Sequence, residues 1–530
     1  MTALTAIPRK VLAAALGLAL LLAGCTGPTS PTNPPGLPPA ITLPGEQVVI
    51  STDPGPAIDR PGLGASTALP AGAVEAPPGE GLAAYLEQKV TWTSCGEFDC
   101  AEIAVPLDYA NPGEQAITLS MARRPASRTP KLGTLFINPG GPGASGKALL
   151  GGFAKRGLEQ YDIVGWDPRG TGDSTPVRCF GPAETDELNA LDASPDNDTE
   201  IDAAIMGSYE FGQSCWENSG ALLEHISTID TVRDLDLLRE LAGDDTLRYL
   251  GYSYGTDIGA TYAELFPHRV GRLVLDAAVD ITDDDTVIQA MGFDLALGNF
   301  ATWCAGQNCQ LGSSKAEVLS TITDLLDELD ADPLTVEDRV LTQTLATVGI
   351  AAYLYGGVPA WQALARDIDA ATRGNGARLL SASDSLNDRN QDGSYGSLYY
   401  SFLAISCRDY VDDGVTDALN TWAEDQKKAP IFGKYFGPSF TCPLWPVRPQ
   451  LQLDIRGRGA APILVVGATG DPATPYQNAV TMAERLESGV LVTYQGEGHG
   501  TFGGKSSCVD QLVIAYLTKG TVPADGVRCS

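Results

Sequence analysis

Apolar positions along this chain follow two rhythms. Short unbroken apolar or β-favouring runs, the signature of strands buried on both faces, occur at 132–137, 161–166, 246–251, 272–276, 462–467 and 490–494. Between them the spacing is helical. Val232, Leu235, Leu238 and Leu241 share one face of a helix expected over 230–241, and Ile258, Tyr262 and Leu265 recur at helical spacing until Pro267 closes the segment. On that amphipathic reading Asp234, Asp236 and Arg239 face water. From about 281 to about 428 the strand rhythm stops, and helical patterns such as 318–329 and 341–354 take over with no comparable strand.

Strand alternating with helix around Gly-rich loops predicts an α/β fold: a mainly parallel sheet flanked by helices, with reactive loops at the carboxyl ends of the strands. The organisation that follows is a sheet domain over 90–280, an inserted helical cap over 281–430, and a second part of the sheet domain over 431–530. Ahead of these, 25–80 is rich in Pro, Gly, Ser and Thr without sustained periodicity, which suits a solvated tether. Residues 1–24 read as an export signal: Arg9 and Lys10, then an apolar run from Val11 to Leu22. That run is shorter than the ~20 residues needed to span a bilayer. It ends in Leu22-Ala23-Gly24-Cys25, which resembles the bacterial lipobox and implies acylation of Cys25 and a membrane anchor outside the cytoplasm.

Export changes how the 11 cysteines are read. With Cys25 modified, ten remain to pair in an oxidising compartment. Proximity favours Cys95 with Cys100, Cys179 with Cys215, Cys304 with Cys309, Cys407 with Cys442 and Cys508 with Cys529. No C-x-x-C pairs point to a metal. The loop from Asp388 to Gly393 copies half of a calcium loop, but its twelfth position is Tyr399 rather than Glu. A net charge of −31 repels phosphate backbones and argues against a nucleic-acid partner.

Candidate chemistry sits at the strand ends. Gly251-Tyr252-Ser253-Tyr254-Gly255 lies between a strand and a helix, the setting of a nucleophile elbow. Asn138-Pro139-Gly140-Gly141-Pro142-Gly143 follows another strand and can aim amides into a cleft. The Tyr254 amide, with that of Gly141 or failing it Gly140, would form an oxyanion hole. Asp471 follows the strand at 462–467, and His499 lies in a Gly-rich loop after the strand at 490–494. Of only three histidines, His225 and His268 precede or follow the elbow in helical surroundings, which leaves His499 as the base for Ser253. The order Ser253, Asp471, His499 is that of α/β-hydrolases, and it predicts acyl transfer without a cofactor. Asp167 and Arg169, in the loop after 161–166, are expected to form a structural ion pair beneath the site.

Together the Asn138–Gly143 loop, the elbow, Gly470-Asp471-Pro472-Ala473-Thr474-Pro475 and Gly498-His499-Gly500 resemble secreted actinobacterial serine peptidases of the tripeptidyl aminopeptidase and proline iminopeptidase-like group. The group includes mycobacterial cell-envelope members first described as carboxylesterases. The resemblance runs from about Val90 to the carboxyl end. It implies removal of fragments from the N-terminal end of peptides, with the cap recognising the free amine. Asn138 departs from it, standing where proline iminopeptidases carry histidine. A carboxylate is needed for the amine. Asp283, Asp284, Asp285 and Asp409 are available, and Asp409 is favoured because Cys407-Arg408-Asp409 resembles a Cys-x-Asp stretch of the group. Esterase or thioesterase activity with the same three residues is the alternative, and a non-catalytic solute-binding lipoprotein a more distant one.

Overall fold

The computed structural model describes residues 68–282, 286–412, 414–450 and 452–530, together with a short pair of strands, β1 (Thr42–Leu43) and β2 (Glu46–Gln47). The expected signal, Cys25, most of the tether and Asp283, Asp284 and Asp285 lie outside the described residues. The main sheet has eleven strands. Its first part comprises β3 (Val74–Glu75), β4 (Thr93–Cys95), β5 (Phe98–Pro106), β6 (Gln115–Arg124), β7 (Gly133–Asn138), β8 (Tyr161–Trp166), β9 (Leu247–Tyr252) and β10 (Val270–Asp276). After a hairpin of β11 (Leu334–Val336) and β12 (Arg339–Leu341), the sheet resumes with β13 (Ile463–Gly470), β14 (Gly489–Glu497) and β15 (Val527–Cys529).

The strand order is β15-β14-β13-β10-β9-β7-β8-β6-β5-β4, with β3 on β6. All pairings from β8 to β15 are parallel, while β3 to β6 and the β6–β8 contact are antiparallel. Side chains of one strand alternate between faces. Leu273 and Leu275 enter one core and Val274 the other, as do Val465 on one side and Leu464 and Val466 on the other. Each strand expected from the apolar runs is present. The fold is therefore α/β, and β9, which carries the elbow, sits mid-sheet between β7 and β10.

Between β10 and β13 the chain is mostly helical, and its helices belong to two different cores. Those from Gln289–Gly306 to Ala377–Leu386 pack around Phe293, Phe300, Leu326, Leu345 and Leu364. Helix Ser397–Asp409 instead contributes Leu398, Phe402 and Ile405 to the core on one face of the sheet. The expected helix over 341–354 begins two residues later, at Gln343, because Leu341 closes the β11–β12 hairpin and Thr342 caps the helix through the amide of Leu345.

Three further expectations are corrected. The fold is entered before residue 90: Ala68 O accepts the amide of Ala221, β3 pairs with β6, and Tyr85 is fully buried. Arg169 does not pair with Asp167. Its guanidinium is wholly buried and binds both oxygens of Asp234, at 2.8 and 2.7 Å, and three backbone carbonyls. A planar cation removed from water requires such a bidentate partner. Asp167 instead accepts from Ser145 Oγ at 2.6 Å and from the amides of Lys147 and Asp173. Finally, Asp234, Asp236 and Arg239 are buried rather than facing water. Helix Thr228–Leu241 is covered on its charged side too, where Tyr109 and Arg169 meet Asp234, and Tyr262 and Arg269 meet Asp236. An amphipathic stripe marks the most apolar face of a helix and leaves open what covers the other.

The ten cysteines form the five expected disulfides, Cys95–Cys100, Cys179–Cys215, Cys304–Cys309, Cys407–Cys442 and Cys508–Cys529. Among the described residues no cluster of His, Cys, Asp and Glu has the makings of a metal site. The half calcium loop is occupied by its own contacts, with Asp388 accepting the amide of Leu398 and Arg389 paired to Asp186.

Candidate active site

Ser253 stands between β9 and helix Tyr254–Leu265 with φ +54 and ψ −129, a conformation few non-glycine residues adopt. Holding it costs on the order of 1–3 kcal/mol, which the surrounding hydrogen bonds offset. The Ser253 amide donates to Asp276 O at 3.0 Å, and Ser253 O accepts from Thr256 Oγ1 at 2.6 Å. Strand and helix approach so closely here that a Cβ on Gly251 would lie 2.2 Å from Gly255 O. The glycines flanking the serine thus create the turn.

The loop after β7 lies directly on the elbow. A Cβ on Gly140 would fall 2.4 Å from Tyr252 O and 2.9 Å from both Ser253 Cβ and the Tyr254 nitrogen, so only glycine lets the two loops touch. Asn138 explains which amide remains available. Its Oδ1 accepts the Gly140 amide at 2.8 Å, so that donor is used within the loop and Gly141 is the next along the chain. Asn138 is itself 1% exposed, so the residue that departs from the family pattern has become an internal strut of the loop.

Asp471 and His499 are brought together. His499 Nδ1 is 2.8 and 3.1 Å from the two oxygens of Asp471, and the side chains are 9% and 0% exposed. Asp471 Oδ1 also accepts the amides of Ala473 and Thr474 at 3.0 Å, so the turn after β13 fixes the carboxylate before the imidazole arrives. Thr474 Oγ1 lies 3.3 Å from the same ring nitrogen. The His499 backbone is held from two sides, its amide donating to Tyr355 O at 3.0 Å and its carbonyl accepting from Lys505 Nζ at 2.8 Å. The ring of Tyr355 stands edge-on to the imidazole at 5.1 Å.

His499 Nε2 is buried and has no hydrogen-bond partner among the described residues, so the bond from Ser253 is not made in this structure. Both residues are nonetheless anchored to the end of β10. Asp276 O takes the Ser253 amide, while the Asp276 carboxylate takes the amides of Thr501 and Phe502, just after His499. Such bonds commonly tighten only once substrate is bound. His225 and His268 lie elsewhere. His225 Nδ1 faces Asp108 at 3.9 Å, and His268 is in a turn at the amino end of β10, the opposite edge of the sheet from Asp276.

Asp409, at the end of helix Ser397–Asp409, is not a solvated helix-end charge. It accepts the Thr228 amide at 2.9 Å and Thr228 Oγ1 at 2.6 Å, and that hydroxyl also contacts Tyr254 Oη. Burial pushes its carboxyl up to about 7, with nearby Asp257 adding to the effect; burial likewise pushes Asp257 up to about 6. The neighbouring Arg408 is turned away to the carbonyls of Glu224 and Arg448, and no ion pair to Asp409 exists among the described residues. Thr228, Asp257 and Tyr355 carry no sequence signal for this site, whereas Thr474 belongs to the Gly470–Pro475 segment as a turn residue three positions after Asp471.

A strained serine on a strand-to-helix turn, glycine-rich amides against it, and an Asp–His pair after later parallel strands define a serine hydrolase of the α/β-hydrolase class. The comparisons narrow this. The chain is 37% identical over 484 residues to serine protease Hip1 of Mycobacterium tuberculosis, covering 84% of this chain and 91% of that protein. It is 30% identical over 467 residues to a tripeptidyl aminopeptidase of Streptomyces lividans, covering 83% and 85%. It is 34% identical over 498 residues to carboxylesterase B of M. tuberculosis, covering 87% and 94%. Residues 429–529 match the model of the TAP-like protein family. The chain belongs to this family of serine hydrolases and peptidases.

Proposed function

We propose that this enzyme is a serine exopeptidase that removes short fragments from the free N-terminus of peptides, through an acyl-enzyme on Ser253. His499 Nε2 accepts the Ser253 proton as Oγ attacks the scissile carbonyl, then returns it to the departing amine. Asp471 sets the imidazole tautomer and stabilises the imidazolium. The amides of Tyr254 and Gly141 hold the tetrahedral oxyanion. Water then repeats the sequence in reverse and frees the acid.

The observation that carries the peptidase reading is Asp409. A carboxylate beside the elbow that is only partly exposed and has no ion-pair partner among the described residues is a poor structural choice unless a cation visits it. A peptide's terminal ammonium is such a cation, and Asp257 adds a second negative charge. The test compares kcat/KM on tripeptidyl amides with free and acetylated N-termini. A preference for the free amine of tenfold or more is expected; equal rates would overturn the exopeptidase assignment. The carboxylesterase relative favours a second reading in which short acyl esters are the substrates. Turnover of esters lacking an α-amine, with none of any peptide amide, would establish it.

Anchoring belongs to the same proposal. Processing before Cys25 and acylation of its thiol would hold the enzyme at the outer face of a bacterial cell membrane, with 25–80 as tether. Five disulfides suit that oxidising location. Cys25→Ala should move the protein from the detergent phase to the aqueous phase on partitioning. Retention in the detergent phase would refute the anchor.

A further inference from the structure

Asp276 combines features that its place at the end of a buried strand does not require. It is 0% exposed and forms no ion pair among the described residues; its carboxylate accepts only backbone amides, from Thr501 to both oxygens at 3.1 and 3.0 Å and from Phe502 at 2.6 Å. Its own carbonyl accepts the Ser253 amide at 3.0 Å. The next residue, Ala277, has φ +59, a left-handed conformation that a residue with a Cβ rarely adopts, and its amide donates to Val466 O on β13, the strand that leads to Asp471. One dipeptide is therefore bonded to all three segments bearing Ser253, Asp471 and His499.

We propose that Asp276 is a positioning residue that registers His499 against Ser253, its carboxylate fixing the loop after the histidine while its carbonyl fixes the elbow. This rests on reading Ser253 and His499 as the reacting pair. The carboxylate suits the task because it has acceptors only. It receives both loop amides without presenting a donor to either, whereas an asparagine amide would turn an N–H group against one of them. Strain at Ala277 fits a segment bent to reach three partners at once. The titratable groups facing Asp276 are Asp471 from the β13 loop, Lys505 from the loop after His499, and the neutral phenol of Tyr252 from β9.

The test is Asp276→Asn in the full chain, with wild type alongside. Labelling of wild-type Ser253 by a fluorophosphonate, lost in His499→Ala, establishes the pair independently; absence of labelling there would defeat the underlying reading rather than this one. With the pair established, the variant should lose about 30- to 100-fold in kcat and in labelling rate per folded molecule, the scale expected for a misplacement of about 1 Å. KM should stay within about threefold. A loss of less than about tenfold in kcat and labelling rate per folded molecule, or one matched by an equal rise in KM, would overturn the proposal, since a purely structural residue changes only the folded fraction. Should the variant not fold, hydrogen exchange in the wild type decides. The Thr501 and Phe502 amides, outside any helix or strand, should exchange at least about a hundredfold more slowly than free amides, and exchange at the free rate would overturn it.

Discussion

The two helical regions over the site differ in what they are built on. Helix Ser397–Asp409 is part of the sheet's own core and is joined to the chain after the cap by Cys407–Cys442. It covers the elbow half: Leu398 lies against Gly141, Ser401 against Gly143, and Asp409 against Thr228. The helices from 289 to 386 have a separate core and cover the other half. Gln289 donates to Ala473 O, a Cβ on Gly292 would meet Pro472 O at 2.5 Å, and Tyr355 holds His499. Ser253, the Asn138–Gly143 loop and Asp409 are thereby tied to the sheet's own core, while Asp471 and His499 are contacted by a lobe with packing of its own. That division falls between Ser253 and His499, whose mutual hydrogen bond is not made in this structure.

The largest effects should come from the chemistry, which the comparison assigns to the strand ends alone. Ser253→Ala and His499→Ala should each lower kcat by about 10⁴- to 10⁶-fold, and Asp471→Asn by about 10⁴-fold, with melting temperatures close to wild type. Removing two of the three together should cost little more than removing one. If a helical-region substitution such as Asp409→Asn matched these losses in kcat, the assignment of chemistry to the sheet would break.

Gly140→Ala comes next. The added methyl cannot coexist with Tyr252 O and the Tyr254 nitrogen, so the loop must lift from the elbow and carry the Gly141 amide away from the oxyanion. Losing one such donor costs about 10²- to 10³-fold in kcat, or about 2.7–4 kcal/mol. Steady-state kinetics on ester and amide substrates should show the same factor for both, because both pass through the same oxyanion. A loss confined to one substrate would show that the loop shapes a pocket instead.

Asp409→Asn tests the elbow-side helix as the seat of recognition. KM for free N-termini should rise about 10- to 30-fold, kcat should change little, and N-acetylated substrates should be unaffected. The sign of the pH dependence follows from a carboxyl raised to about 7. Below that pH it is protonated and cannot pair with an ammonium; above it the pair forms until the α-amine, with an ordinary pKa of about 8, loses its proton. Wild-type KM should therefore fall as pH rises from 6 to 7.5, and the variant should lose that slope. A variant that keeps it would place the amine elsewhere.

Much of this site was legible beforehand because its signals are local. Gly251, Gly255, Gly140 and Gly141 mark backbone approaches, and such positions keep their residue type wherever the rest of the chain goes. Asp471 and His499 each follow an apolar run, so their placement at one sheet edge follows from parallel topology. What sequence did not yield is what depends on tertiary burial. Asp234 and Asp236 occupy the polar face of an amphipathic helix, and their partners Arg169 and Arg269 come from 65 and 33 residues away. Asp276 looked like the last residue of a strand, and its role depends on a loop more than two hundred residues downstream. Thr228 and Tyr355 carry no chemistry that a pattern could flag; they matter through an amide and a carbonyl.

The smallest effect on activity is expected where the comparison is sharpest. Phe293 is fully buried at the centre of the separate lobe, within 6 Å of the rings of Tyr355, Phe432 and Phe436. Phe293→Ala should cost about 3–5 kcal/mol of packing. In a single cooperative core that loss would lower one transition and leave kcat per folded molecule unchanged. In a lobe with its own core it should produce an early, partial calorimetric transition below the main one. Below that early transition, kcat should fall only about two- to fivefold, because Tyr355 still reaches His499 but holds it less firmly. Fluorophosphonate labelling should fall with it, whereas KM for free amines should stay put, since Asp409 belongs to the other core. One sharp transition with unaltered kinetics would mean that the two helical regions act as a single body, and a rise in KM would mean that the lobe also carries the amine site.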